Sequence, residues 1–314
     1  MTAERIPWVA ADPASQRVLE LARKVAATST TLLITGESGS GKDQLARLIH
    51  ELSPRRDAPY LKIDCASLPP ELVESELFGH EKGAFTGAVE RKLGRLELAR
   101  GGTIVLDEIA ALAPGVQSKL LRVLEERAFE RLGGTETLRI HARLLALTNA
   151  NLELAVAAGR FREDLYFRLN VVSVAVPALR QRPADILPLA DEILARLRAV
   201  HARPDIPFSP AARRLLATYS WPGNIREMKN AIERALIFAR DTAIRPEDFP
   251  ESVRAAAGAL PGGPHGALRS LEEIEREAIA ATLEATRYKI TKSAEILGIS
   301  RKTLLHKRKK YGLG

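Results

Sequence analysis

Residues 30–43 read TTLLITGESGSGKD, an apolar run that ends in Gly36-Glu37-Ser38-Gly39-Ser40-Gly41-Lys42-Asp43. The spacing is G-x-x-x-x-G-K, and an amphipathic pattern over Gln44–Leu52 follows, so the loop is expected between a strand and a helix. In that setting the glycines let backbone N–H groups approach phosphate oxygens, the helix start favours negative charge, and Lys42 reaches the β- and γ-phosphates. ATP or a similar triphosphate is the expected ligand. The general pattern has Ser or Thr after the lysine, whose hydroxyl helps to hold Mg2+. Here the residue is Asp43, which can bind the metal directly, bind it through water, or simply favour the helix N-terminus.

Outward from this loop, short apolar runs at Thr31–Thr35, Tyr60–Asp64, Thr103–Asp107, Arg143–Thr148 and Val171–Val176 alternate with helical patterns such as Gln44–Leu52, Glu71–Leu77 and Gln117–Arg127. That alternation predicts an α/β fold with a mostly parallel sheet covered on both faces. The run GGTIVLDE (101–108) ends in two acids about 65 residues after the loop lysine. In a parallel sheet both emerge at the carboxyl edge, beside the phosphates. Asp107 is expected to position Mg2+, and Glu108 to polarise an attacking water. Together the two motifs predict an NTPase.

From Pro177 to about Pro250 the strand signals vanish, and Ile186–Ala199, Pro210–Tyr219 and Asn224–Ala239 read as three amphipathic helices of a smaller helical domain. In Ala255–Ala267, eleven of thirteen residues are Ala, Gly or Pro, which predicts a linker. Helical periodicity then resumes from Leu271 to Gly314. The formal net charge is +8, and all of it lies in residues 287–314, which hold nine Lys/Arg and one acid, Glu295. A neutral body with a cationic end points to polyanion binding by that end.

Within it, Ala294, Gly298 and Leu304 fall at relative positions 5, 9 and 15 of a helix-turn-helix running over Ile290–Lys309. Small Ala294 permits close helix crossing and Gly298 supplies the turn. Ser300 is expected to cap a second helix, Arg301–Lys310, whose Arg301, Lys302, Thr303, His306, Lys307 and Arg308 suit phosphates and base edges in a major groove. The preceding stretch, Leu271–Ala285, carries Leu271, Ile274, Ala278, Ala281 and Leu283 at core spacing and is placed to pair across a dimer.

Glu76-Leu77-Phe78-Gly79-His80-Glu81-Lys82-Gly83-Ala84-Phe85-Thr86-Gly87-Ala88 lies between the two nucleotide motifs. Taken with GESGSGKD and TIVLDEI, it resembles the AAA+ bacterial enhancer-binding proteins, which activate sigma-54 RNA polymerase. The likeness runs from about residue 5 to the C-terminus, and GAFTGA (Gly83–Ala88) is unbroken. Phe85 is one aromatic among small residues, with little around it to build a core, so its ring is expected at a mobile loop tip.

The resemblance implies that Phe85 and Thr86 contact sigma-54 and move with the nucleotide cycle, assisted by a second loop at Arg131–Arg139. It implies that Thr148-Asn149 senses the γ-phosphate, and that Arg162 and Arg168, in FREDLYFR (161–168), reach a neighbouring subunit's nucleotide. A guanidinium suits that task because it stays charged and spreads several donors. In Trp221-Pro222-Gly223-Asn224-Ile225-Arg226-Glu227, Asn224 reads as a helix N-cap with Glu227 as its capping partner. Arg226 then opposes the helix dipole by ~0.3–1 kcal/mol, which hints at another use. The resemblance implies that it touches bound nucleotide from a helical lid.

One position departs from the family pattern, which usually has Asn ahead of Cys65 to hydrogen-bond the catalytic glutamate. Here it is Asp64, and an ionised Asp64 cannot donate to Glu108 and repels it. A weakened or proton-dependent switch is the expectation, and the alternative is that Asp64 points elsewhere.

The resulting expectation is a Mg2+- and ATP-dependent transcription activator with four segments. They are an AAA+ nucleotide-binding domain over 1–176, a lid over 177–250, a flexible linker over 251–269, and a helix-turn-helix domain over 270–314. Its expected partners are sigma-54, RNA polymerase, enhancer DNA and copies of itself in a ring, a hexamer by analogy built from dimers. The alternative is a DNA-binding regulator in which nucleotide only controls oligomerisation. A clamp-loader or helicase-like ATPase is disfavoured, because GAFTGA is no part of such machines.

No run of 18 apolar residues exists, and MTAERIPWVAADP has no signal-peptide core. Cys65 is alone, no Cys/His cluster has zinc spacing, and a reducing cytoplasm is expected. About 30 residues precede the phosphate loop, so no sensing domain is expected there, and control is expected in trans by another protein or by expression level.

Overall fold

Five of the apolar runs join into one sheet. The computed structural model describes residues 6–201, 206–239, 242–258, 271–286 and 288–312. The chain divides into two units, Met1–Gly258 and Ala259–Gly314. The first unit begins with α1 (Pro13–Ala26), β1 (Leu32–Thr35), α2 (Lys42–Glu51), β2 (Tyr60–Asp64) and α3 (Pro70–Phe78). Two short strands, β3 (Gly79–His80) and β4 (Lys92–Leu93), and helix α4 (Arg95–Leu98) lead to β5 (Thr103–Asp107) and α5 (Pro114–Glu126). A hairpin of β6 (Ala128–Glu130) and β7 (Thr137–Arg139) precedes β8 (Arg143–Thr148), α6 (Leu152–Ala157), α7 (Glu163–Leu169) and β9 (Val172–Ala175).

The main sheet has the order β2-β5-β8-β1-β9 with every pairing parallel. Strand alternation divides its core. Ile104 and Leu106 of β5 pack into the layer that holds Leu77, Leu120 and Leu165, whereas Val105 packs with Ala22, Leu45 and Ile49 on the opposite face. Each fully buried Leu, Ile or Val among them contributes about 1.5–3 kcal/mol. The expected α/β fold with both faces covered is the one observed. All five strands point the same way, so the loop after β1 and the acids ending β5 lie at one edge of the sheet.

Helices α8 (Ile186–Val200), α9 (Pro210–Thr218) and α10 (Asn224–Phe238) follow the three predicted amphipathic stretches to within two residues. They enclose a second core around Trp221, which is fully buried and donates its indole N–H to the Leu216 carbonyl at 3.0 Å. The predicted linker over 251–269 requires a correction. Residues 251–258 form a helix, α11 (Glu251–Gly258), whose Val253 is buried in this second core. A run of alanines has high helix propensity once one apolar anchor is supplied. The remainder of the predicted linker lies outside the described residues.

The second unit contains α12 (Leu271–Ala285), α13 (Ile290–Ile296) and α14 (Arg301–Lys310). Its core is Ile279, Leu283, Ala294 and Leu304. In α12 the buried face differs from the expected one. Ile279 and Leu283 are inside while Ala278 and Ala281 are exposed, because the larger side chains gain more from burial. The side chains of Leu271 and Ile274 lie outside the described residues.

Candidate active site

The loop 36–41 joins β1 to α2, and Gly41 is the residue before the first helical position, Lys42. Gly39 has φ +73°, and a Cβ there would come within 2.6 Å of the Gly223 carbonyl. Glycine is required both for the backbone turn and for the close approach of a second element. Lys42 donates from Nζ to the Gly36 and Glu37 carbonyls at 2.9 and 3.2 Å. Burial pulls its pKa down, and the charges of Glu108, Asp107 and Asp43 oppose that shift. A buried ammonium with loop carbonyls as its partners is poised to exchange them for phosphate oxygens.

Asp107 ends β5 and Glu108 follows it directly. The Glu108 carboxylate accepts the backbone N–H of Asn149, just beyond β8, at 3.2 Å. Glu108 has φ +52°, a conformation that non-glycine residues adopt only under local constraint. Asp43, in the first turn of α2, and Asp107 converge on one ammonium. Lys62 Nζ lies 2.6 Å from Asp43 Oδ1 and 2.7 Å from Asp107 Oδ2. Burial alone would lower the Lys62 pKa, but hydrogen bonds to Asp107 and Asp43 outweigh it, and the net shift is upward. Among the described residues no three His, Cys, Asp or Glu side chains group as a metal cage. Two carboxylates that gather a cation do fit Mg2+, which is commonly held by one or two carboxylates, waters and substrate phosphates.

The expected encounter of Asp64 with Glu108 is not formed. Asp64 is paired in register with Asp107 on the neighbouring strand, but its carboxylate turns onto its own chain and accepts from the Ala66 and Ser67 N–H groups at 3.0 and 3.2 Å. Amide donors satisfy an ionised carboxylate, whereas a second carboxylate repels it.

The helical domain closes over the loop through α10. Gly223, and not Asn224, is the cap residue, and Glu227 accepts the Gly223 N–H at 2.8 Å. Asn224 is fully buried. Its amide donates to Glu37 Oε2 and the Ser38 carbonyl, both at 3.1 Å, and its Oδ1 accepts the Leu179 N–H at 2.7 Å. The capping expectation failed because a better set of partners lies across the domain boundary. Ile225 N–H donates to the Gly39 carbonyl at 2.9 Å, and Arg226 Nη1 reaches Ser38 Oγ at 2.6 Å.

Arg226 lines two cavities. One, of about 870 Å3, also contains Lys42, Asp43, Asp107 and Glu108, and the other, of about 880 Å3, contains Glu37 and Asn149. The first is large enough for a nucleotide.

Arg162 and Arg168 do not join this cluster within the chain. Arg162 pairs with Asp164 at 2.7 Å and reaches Ser118 Oγ, while Arg168 donates to the Leu124 carbonyl. The segment 83–88 is a loop closed by the Gly83 N–H to Ala88 carbonyl bond at 2.8 Å. Phe85 is 44% exposed, and its ring meets His80 edge-on at 5.0 Å between centroids. The β6–β7 hairpin packs beside it, since a Cβ on Gly133 would touch Ala84 at 2.8 Å. Buried Arg131 ties the two loops together through Glu97, Glu136 and Glu81, and those bonds raise its pKa.

In the second unit Ser300 caps α14 by accepting the Thr303 N–H at 3.1 Å, and Gly298 has φ +66° in the turn before it. Arg301, Lys302 and His306 are exposed. Lys307 is engaged with Glu275 of α12 at 2.5 Å, and Tyr311 donates to the same carboxylate at 2.6 Å.

Three contributors escaped the sequence reading. Lys62 was detectable as a charge in the middle of the strand Tyr60–Asp64. Arg180 pairs with Glu37 at 2.5 Å, and buried Arg182 donates to the Ser40 carbonyl; both come from a Pro-rich turn that carries no periodic signal.

A phosphate loop, an acid-terminated strand of the same parallel sheet one strand away, and a helical lid bonded to the loop define an AAA+ ATPase domain. Family models match the chain as a sigma-54 interaction domain over residues 8–175, an AAA+ ATPase lid domain over 180–261, and a bacterial regulatory protein of the Fis family over 270–311. The chain belongs to the sigma-54 activator family.

It is 42% identical to the transcriptional regulatory protein FlbD of Caulobacter vibrioides over 99% of its own length and 71% of the relative's. It is 47% identical to the alginate biosynthesis regulator AlgB of Pseudomonas aeruginosa, and 44% to the regulatory protein AtoC of Escherichia coli, each over 96% of this chain. The chain spans 66% and 67% of those two relatives. The crystal structure of NtrX from Brucella abortus in complex with ADP superposes with a TM-score of 0.74 at 34% identity, covering 99% of this chain and 71% of that one. The corresponding ATP complex gives a TM-score of 0.71 at 35% identity, with 97% and 69% covered.

Proposed function

We propose that this protein is a transcription activator that binds enhancer DNA and assembles into an AAA+ ring, a hexamer by analogy. ATP hydrolysis then drives the Phe85 loop against sigma-54, opening the closed RNA polymerase promoter complex. The observation that carries this reading is an exposed Phe85 on a closed loop in the same unit as the phosphate loop and the Asp107–Glu108 pair. The NtrX complexes with ADP and ATP support nucleotide binding in the same fold. No described helix is long and apolar enough to cross a membrane, and the cytoplasm is the proposed location.

In the proposed reaction the backbone N–H groups of Gly36–Asp43 cradle the phosphates, and Lys42 leaves its loop carbonyls for the β- and γ-oxygens. Glu108 polarises a water for attack on the γ-phosphorus, yielding ADP and phosphate, with the Asn149 amide orienting the Glu108 carboxylate. Asp107 and Asp43 would hold Mg2+, which would supply charge neutralisation at the phosphate oxygens. Arg226 contacts nucleotide from the lid. Arg162 and Arg168 serve the neighbouring subunit's site. Arg162 and Asp164 are half-exposed, and solvent screens such a pair, so it yields readily to a nucleotide.

Gly83, Ala84, Phe85, Thr86, Gly87 and Ala88 form the proposed sigma-54 contact. Arg301, Lys302, Thr303, His306, Lys307 and Arg308 contact DNA, with Ser300 fixing the start of their helix.

The test is open-complex formation on a sigma-54 promoter by wild type and Phe85→Ala. The variant is expected to retain ATPase activity and lose open-complex formation. Equal open-complex yields from the two proteins overturn the reading.

A further inference from the structure

Lys62 occupies the point at which the metal-binding reading needs a cation. It is central in β2, beside Val105 of β5, and its side chain runs to the carboxyl edge of the sheet. There Nζ touches Asp43 Oδ1 and Asp107 Oδ2, at 2.6 and 2.7 Å, and it lines the same cavity as Lys42 and Glu108. These contacts explain how Asp43 and Asp107, with Glu108 next in the chain, share one edge without mutual repulsion. A metal ion bound by the two carboxylates needs the lone pairs that the ammonium now uses. One point cannot hold two cations, so metal entry requires Lys62 to withdraw.

We propose that Lys62 is a resident counter-cation of the nucleotide site, which holds Asp43 and Asp107 in place before nucleotide arrives and is displaced when a divalent metal enters with it. This assignment rests on the reading of Asp107 and Asp43 as metal ligands. Lys62 is thereby a positioning residue that sets how much metal the site requires. Asp107 is the more enclosed of the two acids: its side chain is 15% exposed and that of Asp43 52%, with Lys62 at 35%, so the Lys62–Asp107 attraction is the less screened of the two. The four-carbon stem of lysine also lets the charge move aside while its stem stays against the strand.

The experiment measures Mn2+ binding by electron paramagnetic resonance in the full-length protein saturated with ADP, comparing wild type, Lys62→Met, Lys62→Arg and Asp107→Asn. Loss of the competing ammonium is expected to tighten Mn2+ binding in Lys62→Met by about tenfold, the scale of one charge-assisted hydrogen bond. Lys62→Arg, which keeps the charge, is expected to stay within about twofold of wild type. Thermal melting verifies that each variant is folded, and a Lys62→Gln replacement substitutes for Lys62→Met should the latter not fold.

Unchanged Mn2+ affinity in folded Lys62→Met or Lys62→Gln, with Asp107→Asn weakened, overturns the counter-cation role alone. Unchanged affinity in Asp107→Asn overturns the metal-ligand reading itself. A merely structural lysine would alter the melting temperature and leave the Mn2+ affinity where it was.

Discussion

Replacing Asn224 by alanine should loosen the lid from the phosphate loop, and the structure allows the size of the effect to be worked out. The side chain is fully buried, bonded to Glu37 Oε2 and the Ser38 carbonyl at 3.1 Å, and it accepts the Leu179 N–H at 2.7 Å. Each lost bond contributes about 1 kcal/mol net, somewhat more for the one to a carboxylate, and a stranded buried N–H at Leu179 costs about 1–3 kcal/mol. Asn224 has φ +55°, a conformation in which alanine is disfavoured by about 1 kcal/mol relative to residues that tolerate it. The expected loss is about 4–6 kcal/mol. For a unit of this size each kcal/mol lowers the melting temperature by about 2–4 °C, so the full-length variant should melt on the order of 10 °C below wild type. Asn224→Gly removes the same bonds without the conformational penalty and should recover about a quarter of the loss. An Asn224→Ala protein melting within about 2 °C of wild type would refute this account of the lid contact.

Two further outcomes follow from titratable groups. Bonds to Arg180 and then Asn224 hold the Glu37 carboxyl down to about 2, against an ordinary 4.5. Its folded-state pKa is depressed, so the stabilisation is complete above pH 4.5 and is lost as pH falls towards 2. Arg180→Gln should therefore flatten the acid limb of a urea-midpoint profile in that window; superimposable limbs in the two proteins would contradict the pairing. Burial, and then the charges of Asp64, Asp107 and Glu108, push the Cys65 thiol up to about 12. At pH 8 its reaction with a disulfide reagent should be slower in the native protein than in urea by about a hundredfold or more. Native and unfolded rates that agree would show the thiol to be accessible.

Much of the site was legible because its chemistry is carried by short segments with rigid local geometry. Gly36–Lys42 needs only its flanking strand and helix to be interpreted, and TIVLDE needs only the direction of the sheet. Asn224 was misread for the opposite reason. Its local pattern describes a helix cap, while its actual partners are 187 and 45 residues away. Asp64 was expected to face Glu108 because strand adjacency is readable, whereas the choice between a neighbouring carboxylate and its own turn amides depends on side-chain rotation. The Ala-rich start of the predicted linker became helix because Val253 found a pocket in the lid.

The residue order by itself determined the parallel α/β framework, the nucleotide loop, the Phe85 segment and the cationic helix-turn-helix, since each depends on periodicity or on neighbours a few positions apart. Only the tertiary structure decided which long side chains meet. Lys62 joins Asp43 to Asp107, Arg226 reaches Ser38, and Arg131 binds Glu81, Glu97 and Glu136. The physical reason is range. Backbone geometry propagates over a turn of helix or a pair of strands, whereas an ion pair forms wherever packing brings two flexible side chains within reach.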